Sequence, residues 1–206
     1  ESARWLASRA APSTGLLTSF HAPAGVGWAA NRGYSYDQAV AVVSLLLHGN
    51  NSYLELVDTA ISAMAILVHD AEDATHTLAT PFSWSTVTGV GSLPHRTGAH
   101  AWVTYAFALH ALTTGTTEHH AVLLKLSQWI LSMYDPAPEK LCFRGGPDVT
   151  WCSTEHHIDI FFALHLAGWV LDDAELKTAA ADAKAVLLSG LWNIGQERFN
   201  QGCVCL

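Results

Sequence analysis

A dense group of ionisable residues interrupts an otherwise apolar segment in the last third of the chain. Glu155, His156, His157 and Asp159 precede a run rich in Ile, Phe, Ala and Leu. In a helix, residues four positions apart share a face, so the carboxylates of Glu155 and Asp159 are expected to lie side by side. Like charges raise the pKa of at least one such acid, which suits it to donate a proton. Glu155, Asp159 and His156 are therefore candidates for proton-transfer chemistry.

A second acid, Asp37, lies at a matching place near a helix start. Ser35-Tyr36-Asp37-Gln38 has the Ser-x-x-Gln form of a capping box, and Ser153-Thr154-Glu155 brings an acid equally close to the start of another helix. An acid in a first turn favours the helix dipole by about 0.3 to 1 kcal/mol, so capping alone could explain both acids. Glu155 is the stronger candidate for a catalytic acid than Asp37, because it belongs to a polar cluster whose burial would cost free energy without any functional return.

Aromatic and histidine side chains supply further candidates for binding. At the start of a second apolar helix, His100, Trp102 and Tyr105 could supply a tyrosine and a histidine that act together as the base of a polysaccharide lyase. Trp and Tyr at helical spacing are more often core residues, which makes this the weaker alternative. Aromatic residues in the long loops could stack on a ligand or merely plug the end of the core. The candidate binding residues are Tyr36, Trp28, Trp84, His100, Trp102, Tyr105, Arg144, Trp151 and His157.

These residues must be positioned by helices, since three segments repeat one pattern of an apolar helix, a short turn and an amphipathic helix. The predicted hairpins cover about 36–69, 99–134 and 154–189, between an N-terminal segment 1–35 and a C-terminal tail 190–206. The first helix of each pair is apolar on nearly every side, as an inner helix must be, and the second carries a charged stripe. The fold class predicted is all-α, a single domain of three inner/outer hairpins that form a partial toroid or a short α-solenoid.

The long loops are expected to lie at one end of this scaffold. The turns inside each hairpin are short, whereas the segments that lead into the inner helices, 20–35, 80–98 and 135–153, are long and rich in Gly, Pro and aromatic residues. Long loops on a rigid scaffold are where binding residues usually lie.

Two motifs resemble a known family. The segment Trp151 to Asp159, WCSTEHHID, resembles the W-x-S-T-E-H-N-x-D stretch of bacterial (α/α) toroid proteins of the six-hairpin glycosidase type, and departs from it at His157. Tyr36-Asp37-Gln38-Ala39 is similar to their Y-D-x-A inner-helix start, and 15–20 is similar to the segment before it. The resemblance implies a carbohydrate-binding or glycoside hydrolase-like domain, with Glu155 as general acid and Asp37 as water-activating base or substrate anchor. Inverting hydrolysis would place the two carboxyl groups roughly 6.5 to 9.5 Å apart.

The chain is too short for a complete toroid of six hairpins, and the segment 198–203 reads like a loop that leads into a fourth inner helix. An open arc would expose the flanks of its inner helices, and half of all residues are hydrophobic while only 14% are charged. The alternative hypothesis is therefore a non-catalytic structural module that self-associates through its open edges, or that binds a second half-toroid.

Composition restricts the other possible partners. The formal net charge of −8 and the sparse Lys and Arg residues argue against nucleic acid. Apolar runs stop short of the about 18 to 20 uncharged residues that span a bilayer, so no membrane partner is expected. A zinc site formed by the four cysteines and some of the 12 histidines is the rival to disulfide bonds, but no CxxC or HExxH spacing is present. No phosphate-loop spacing is present either, so neither a metal nor another cofactor is expected.

The cysteines and one sequon favour an extracellular location. Cys142, Cys152, Cys203 and Cys205 lie in loop-like or terminal segments, where an oxidising compartment would pair them in one of three connectivities. A bridge from Cys142 to Cys152 would staple the loop between them. Asn50-Asn51-Ser52 is a candidate N-glycosylation site at a helix start.

Overall fold

The computed structural model describes residues 2–20, 30–70, 78–135 and 142–204. A short helix α1 (Ser2–Ala7) precedes three helical hairpins. The inner helices are α2 (Ser35–His48), α4 (Thr97–Thr114) and α6 (Thr154–Val170). The outer helices are α3 (Leu54–Asp70), α5 (His120–Ser132) and α7 (Ala174–Val186), and a π-helical turn, Leu187–Leu191, follows α7. The predicted all-α arrangement of three inner/outer hairpins is confirmed.

Local sequence explains where the helices stop and start. Helices α2 and α4 end at Gly49 and Gly115, which adopt left-handed φ angles of 70° and 72° and have no side chain to oppose that conformation. Asp173 caps α7, because its carboxylate accepts hydrogen bonds from the backbone N–H groups of Glu175 and Leu176. Each hairpin therefore turns within a few residues.

The hydrophobic core lies between the inner and outer layers. The middle inner helix α4 packs between α2 and α6, and is buried on almost every side through Ala101, Val103, Ala106, Phe107 and Ala108. Outer-helix residues such as Ile61, Leu126 and Leu176 close the core from the other side. Because the inner helices are covered on both sides, they carry apolar residues on nearly every face.

One outer segment has the length and apolarity of a membrane span. By these two measures Asn51–Val68 could cross a bilayer, and 39% of that window is buried inside the protein. The core helix of a soluble protein has the same properties, so this is weak evidence for a membrane.

The start of each inner helix is fastened to the following loop by one repeated hydrogen bond. The hydroxyl groups of Ser35, Thr97 and Thr154, each the first residue of its helix, donate to backbone carbonyls. The acceptors, Pro81, Arg144 and Asn200, all belong to the segment that follows the same hairpin. The backbone N–H groups of the same three residues donate to the next carbonyl along, those of Phe82, Gly145 and Gln201. The tail around Asn200 therefore makes the same hydrogen bonds to the third hairpin that the loops at Pro81 and Arg144 make to the first and second hairpins.

A buried polar side chain three residues further along fastens a second loop to each inner helix. Gln38 accepts a hydrogen bond from the N–H of Leu17 and donates to its carbonyl. His100 accepts from the N–H of Thr80, and its other ring nitrogen bonds the carbonyl of Leu126. His157 accepts from the N–H of Phe143, and its second nitrogen bonds the carbonyl of Ser153. We call Gln38, His100 and His157 the loop clasps.

Short strands that the sequence pattern did not predict hold the loop end together. Strands β1 (Arg32–Tyr34), β2 (Ser83–Ser85) and β3 (Gly91–Ser92) form one antiparallel sheet. Three two-stranded ladders follow, namely β4 (Tyr134–Asp135) with β5 (Cys142–Phe143), β6 (Trp151–Ser153) with β9 (Gly202–Val204), and β7 (Trp192–Asn193) with β8 (Arg198–Phe199). With only two or three residues each, they are too short to show an alternating pattern.

Replacement of a loop clasp should destabilise the fold. In His157→Leu the N–H of Phe143 and the carbonyl of Ser153 lose their partner, and each buried unpaired group costs about 1 to 3 kcal/mol. We expect the free energy of unfolding in urea to fall by roughly 2 to 4 kcal/mol. His165→Leu, on the exposed side of the same helix, is the control and should change it by less than about 0.5 kcal/mol. Equal effects of the two variants would show that His157 does not fasten the loop.

Candidate functional site

Three aromatic rings line up across the first turns of two inner helices. Tyr36 on α2 lies with its ring centroid 5.5 Å from that of Trp102 on α4, and Trp102 lies 6.0 Å from Tyr105. Tyr36 is 41% exposed, and the other two rings are half-buried, so each keeps part of its surface open. Offset and edge-to-face contacts of this kind hold aromatic rings in fixed orientations.

Glu155 and Asp159, on α6, lie beside these rings. Burial raises the pKa of Tyr36, and the charges of Asp159, Glu155 and Asp37 raise it further, in that order. The phenol of Tyr36 therefore lies within the electrostatic influence of carboxylates on two helices, α2 and α6. We call Tyr36, Trp102, Tyr105, Glu155 and Asp159 the aromatic–carboxylate site.

Asp159 is the acid whose protonation the structure changes most. Its pKa is raised to about 7, first because the carboxyl is withdrawn from water and second because the charge of Glu155 lies close by. The indole N–H of Trp102 partly opposes this rise, since it favours the charged form of Asp159. That N–H is buried and completes no hydrogen bond within the described residues. Asp159 can therefore hold or release a proton near neutral pH, which fits the expectation that one acid of the pair would be shifted.

His156 is held neutral beside this pair. Burial lowers its pKa to about 4, and the neighbouring His157 and Arg96 lower it further. Its ring lies 5.5 Å from that of Trp151 and against Gly98, where any side chain would collide with it. Its Nδ1 atom is buried without a hydrogen-bond partner in the described part of the chain. At neutral pH, His156 offers an uncharged ring and no positive charge.

An ion pair that the sequence analysis missed borders the site. The guanidinium of Arg96, the residue before α4, lies 2.7 Å from the carboxylate of Asp148, which holds the pKa of Asp148 below its usual range. Arg96 also lies over the ring of Trp151, 6.0 Å from its centroid. Arg96 and Asp148 are 52 positions apart, so no local pattern could have joined them.

Three predicted binding residues lie where a ligand cannot reach them. Trp84 is 1% exposed, and His100 and His157 are fully buried. Burial lowers the pKa of His100 to about 3, and both of its ring nitrogens are used within the protein, as are those of His157. The polar atoms of both histidines bond to loop and helix backbone, and the Trp84 ring belongs to the core, so in this structure none of the three faces a binding surface.

The remaining candidates are spread over the loop end. Asp37 lines a separate groove between α1 and α2, together with Arg9 and Phe20. Arg144 is half-buried, and its backbone carbonyl accepts the hydrogen bond of Thr97. Trp28 lies outside the described residues. In the described segments, no group of three or more His, Cys, Asp or Glu side chains is placed to hold a metal ion.

Asp159→Asn should remove a pH dependence of stability. In the unfolded chain Asp159 ionises near its ordinary pKa of 3.8, whereas in the folded protein it keeps its proton up to about pH 7. The folded state therefore binds the additional proton between these values, and the free energy of unfolding must fall as pH rises from 4 to 7. The full shift corresponds to about 4 kcal/mol, and the remaining access of water reduces the expected fall to roughly 2 kcal/mol.

Urea unfolding of both proteins at pH 5 and pH 8 would measure this difference. The free energy of unfolding of Asp159→Asn, relative to that of the wild type, should be higher at pH 8 than at pH 5, because the wild type must bury a charged carboxylate at pH 8. Glu155→Gln should narrow the pH range over which the free energy of unfolding falls, because without the charge of Glu155 the pKa of Asp159 lies closer to its ordinary value. Parallel pH profiles of wild type and Asp159→Asn would contradict the shifted pKa.

No family model and no curated protein matches the sequence. Solved structures do match: unsaturated glucuronyl hydrolase from Bacillus sp. GL1 has a TM-score of 0.72 at 14% identity, over 95% of this chain and 57% of its own. Cellobiose 2-epimerase from Spirochaeta thermophila DSM 6192 has a TM-score of 0.71 at 14% identity, over 92% of this chain and 51% of its own.

D-mannose isomerase has a TM-score of 0.68 at 11% identity, and the match covers 98% of this chain and 54% of that one. These proteins are all (α/α)6 toroid enzymes, and the present chain spans about half the length of each. At such low identities the likeness establishes the fold alone. The resemblance seen in the sequence is confirmed at that level, and the chain has the fold of one half of an (α/α)6 toroid.

Proposed function

We propose that this chain is a carbohydrate-active domain that binds sugar at the aromatic–carboxylate site. One observation carries the proposal: partly exposed aromatic rings adjoin two carboxyl groups, one of which holds its proton near neutral pH. Sugar rings have apolar C–H faces that pack on aromatic rings, and their hydroxyl groups donate to carboxylates. The structural neighbours are a hydrolase, an epimerase and an isomerase of sugars, which supports the same class of ligand.

The reaction we propose is hydrolysis of a glycosidic bond. Asp159 would donate its proton to the glycosidic oxygen as the bond to the anomeric carbon breaks. Water would add its hydroxyl group to that carbon and give its other proton to a carboxylate base, for which Asp37 is the candidate. Glu155, exposed beside it, keeps the pKa of Asp159 high. This assignment differs from that favoured by the sequence alone, which made Glu155 the acid, because Asp159 is the more buried of the two. Asp37 remains a candidate base or substrate anchor.

A second candidate is the non-catalytic assembly module. It is favoured by large apolar side chains that remain exposed on the inner layer, among them Leu47, Phe162 and Trp169. The two functions are compatible, since an assembled ring could also bind sugar.

An extracellular location belongs to the same proposal. Cys142 and Cys152 are buried next to one another, and the backbone pairing of β6 with β9 sets Cys152 opposite Cys203. This arrangement supports disulfide bonds of an oxidising compartment. The side chain of Cys203 and all of Cys205 lie outside the described residues. Asn50 is exposed in the turn after α2, as a glycosylation site must be.

Paired carboxylate variants would test the proposed reaction. Binding would be measured with D-mannose, cellobiose and an unsaturated glucuronyl disaccharide, sugars related to those of the structural neighbours, and turnover with the two disaccharides, which contain a glycosidic bond. Asp159→Asn should reduce kcat by about 100-fold or more, because proton transfer contributes that much, while sugar affinity changes little. Glu155→Gln removes the charge that helps to keep Asp159 protonated, so it should reduce kcat less and move the pH optimum of kcat to lower pH. Glu175→Gln, at the exposed start of α7, is the matched control and should behave as wild type.

The same variants separate a catalytic from a structural role. Melting temperatures would be recorded beside the kinetics. If Glu155→Gln lowers the melting temperature and no sugar binds to any of the proteins, the acids form a structural network and the proposed function is wrong. If sugar binds but Asp159→Asn turns over normally, the site is a binding site and Asp159 is not the proton donor.

A further inference from the structure

The rings of the aromatic–carboxylate site lie among acids from two helices. Glu155 and Asp159 lie about one helical turn apart on α6, and Asp37 directly follows Tyr36 on α2. All three carboxylates act on the phenol of Tyr36, whose residue is 41% exposed. The ring of Tyr36 lies 5.5 Å from that of Trp102, so the aromatic surface spans α2 and α4. A ligand packed on these rings therefore lies close to several carboxyl groups.

The cation that borders the site is already paired. The guanidinium of Arg96 lies 2.7 Å from the carboxylate of Asp148, which offsets its charge. His156, on which Arg96 also acts, is neutral, because burial lowers its pKa to about 4. Among the residues that the structure describes, the charges that act on Tyr36 and Asp159 are all carboxylates. The charge beside the aromatic rings is therefore negative.

This charge discriminates between sugars that differ in charge and little else. An ammonium group is attracted to the carboxylates and can donate to them, whereas the carboxylate of a uronic acid is repelled. A unit charge about 6 Å away changes affinity by roughly 3- to 10-fold when the effective dielectric constant is about 80 to 40. The net charge of −8 acts in the same direction at longer range.

We propose that the aromatic–carboxylate site selects amino sugars, which carry a free ammonium group, and rejects uronic acids. This inference rests on the proposed function and names the substrate class of that site. The ammonium group is placed beside Glu155, the exposed acid of the pair, while Asp159 keeps its proton for the glycosidic oxygen. The apolar faces of the sugar pack on Tyr36 and Trp102.

A set of disaccharides separates charge from shape. Calorimetry at pH 6, where sugar amines are protonated, would compare a β-1,4-linked glucosamine disaccharide with cellobiose, its neutral counterpart. The diacetylated glucosamine disaccharide and an unsaturated glucuronyl disaccharide complete the set. At about 0.05 M salt, we expect the glucosamine disaccharide to bind about 10-fold tighter than either neutral sugar, and the glucuronyl disaccharide to bind most weakly. At about 1 M salt the Debye length is only about 3 Å, so these differences should shrink.

Charge variants assign the preference to the site. Glu155→Gln should reduce the preference for the glucosamine disaccharide over cellobiose by roughly 3- to 10-fold, because it removes one carboxylate from beside the rings. Glu175→Gln, which removes an exposed charge at the start of α7, is the matched control and should keep the full preference. Circular dichroism would establish that both variants are folded.

The outcomes distinguish this inference from the function on which it rests. If cellobiose binds and the glucosamine disaccharide binds no tighter, the proposed charge selection is wrong and the sugar-binding function stands. A preference that survives in Glu155→Gln, or that is equally reduced in Glu175→Gln, also overturns it. If none of the disaccharides binds, the proposed function fails, and the inference fails with it.

Discussion

The hydrogen bonds at the start of each inner helix are the constraint on which the rest of this structure depends. A helix leaves its first N–H groups without partners, and a long loop leaves its carbonyls in the same condition. Here a Ser or Thr hydroxyl donates to a loop carbonyl, and a loop clasp accepts from a loop N–H group. The loop in turn covers the end of the helix. The network repeats three times, at Ser35, Thr97 and Thr154. It therefore fixes the position of each inner helix along its axis, and the first turns of the three helices lie at one surface.

The aromatic–carboxylate site is a consequence of that alignment. Tyr36, Trp102 and Asp159 belong to three different helices, and they meet because each lies within two turns of a fastened helix start. Burial raises the pKa of Asp159 and lowers that of His156, whose ring packs against Trp151. A buried ionisable group lowers stability, and its retention beside exposed aromatic rings is the reason to assign it a function.

The same repetition explains the exposed edges of the protein. A repeat buries its apolar flank only when a neighbour is present, so the first and last units of an array are left uncovered unless a cap is added. Helix α1 is a partial cap at one end, whereas Ile158, Phe162 and Trp169 lack a cover within the described chain at the other. The tail at Asn200 completes the hydrogen bonds of α6 but leaves its apolar flank exposed.

The sequence by itself determined the three hairpins, the division into inner and outer helices, and the pairing of Glu155 with Asp159. All of these depend on helical periodicity or on residues a few positions apart. Only the tertiary structure decided that Asp159 is the acid with the shifted pKa, that His100, His157 and Trp84 are buried, that Asp37 lines a separate groove, and that Arg96 meets Asp148. Burial and long-range contacts are set by how the helices and loops pack, and residues more than 50 positions apart leave no periodic signal in one sequence.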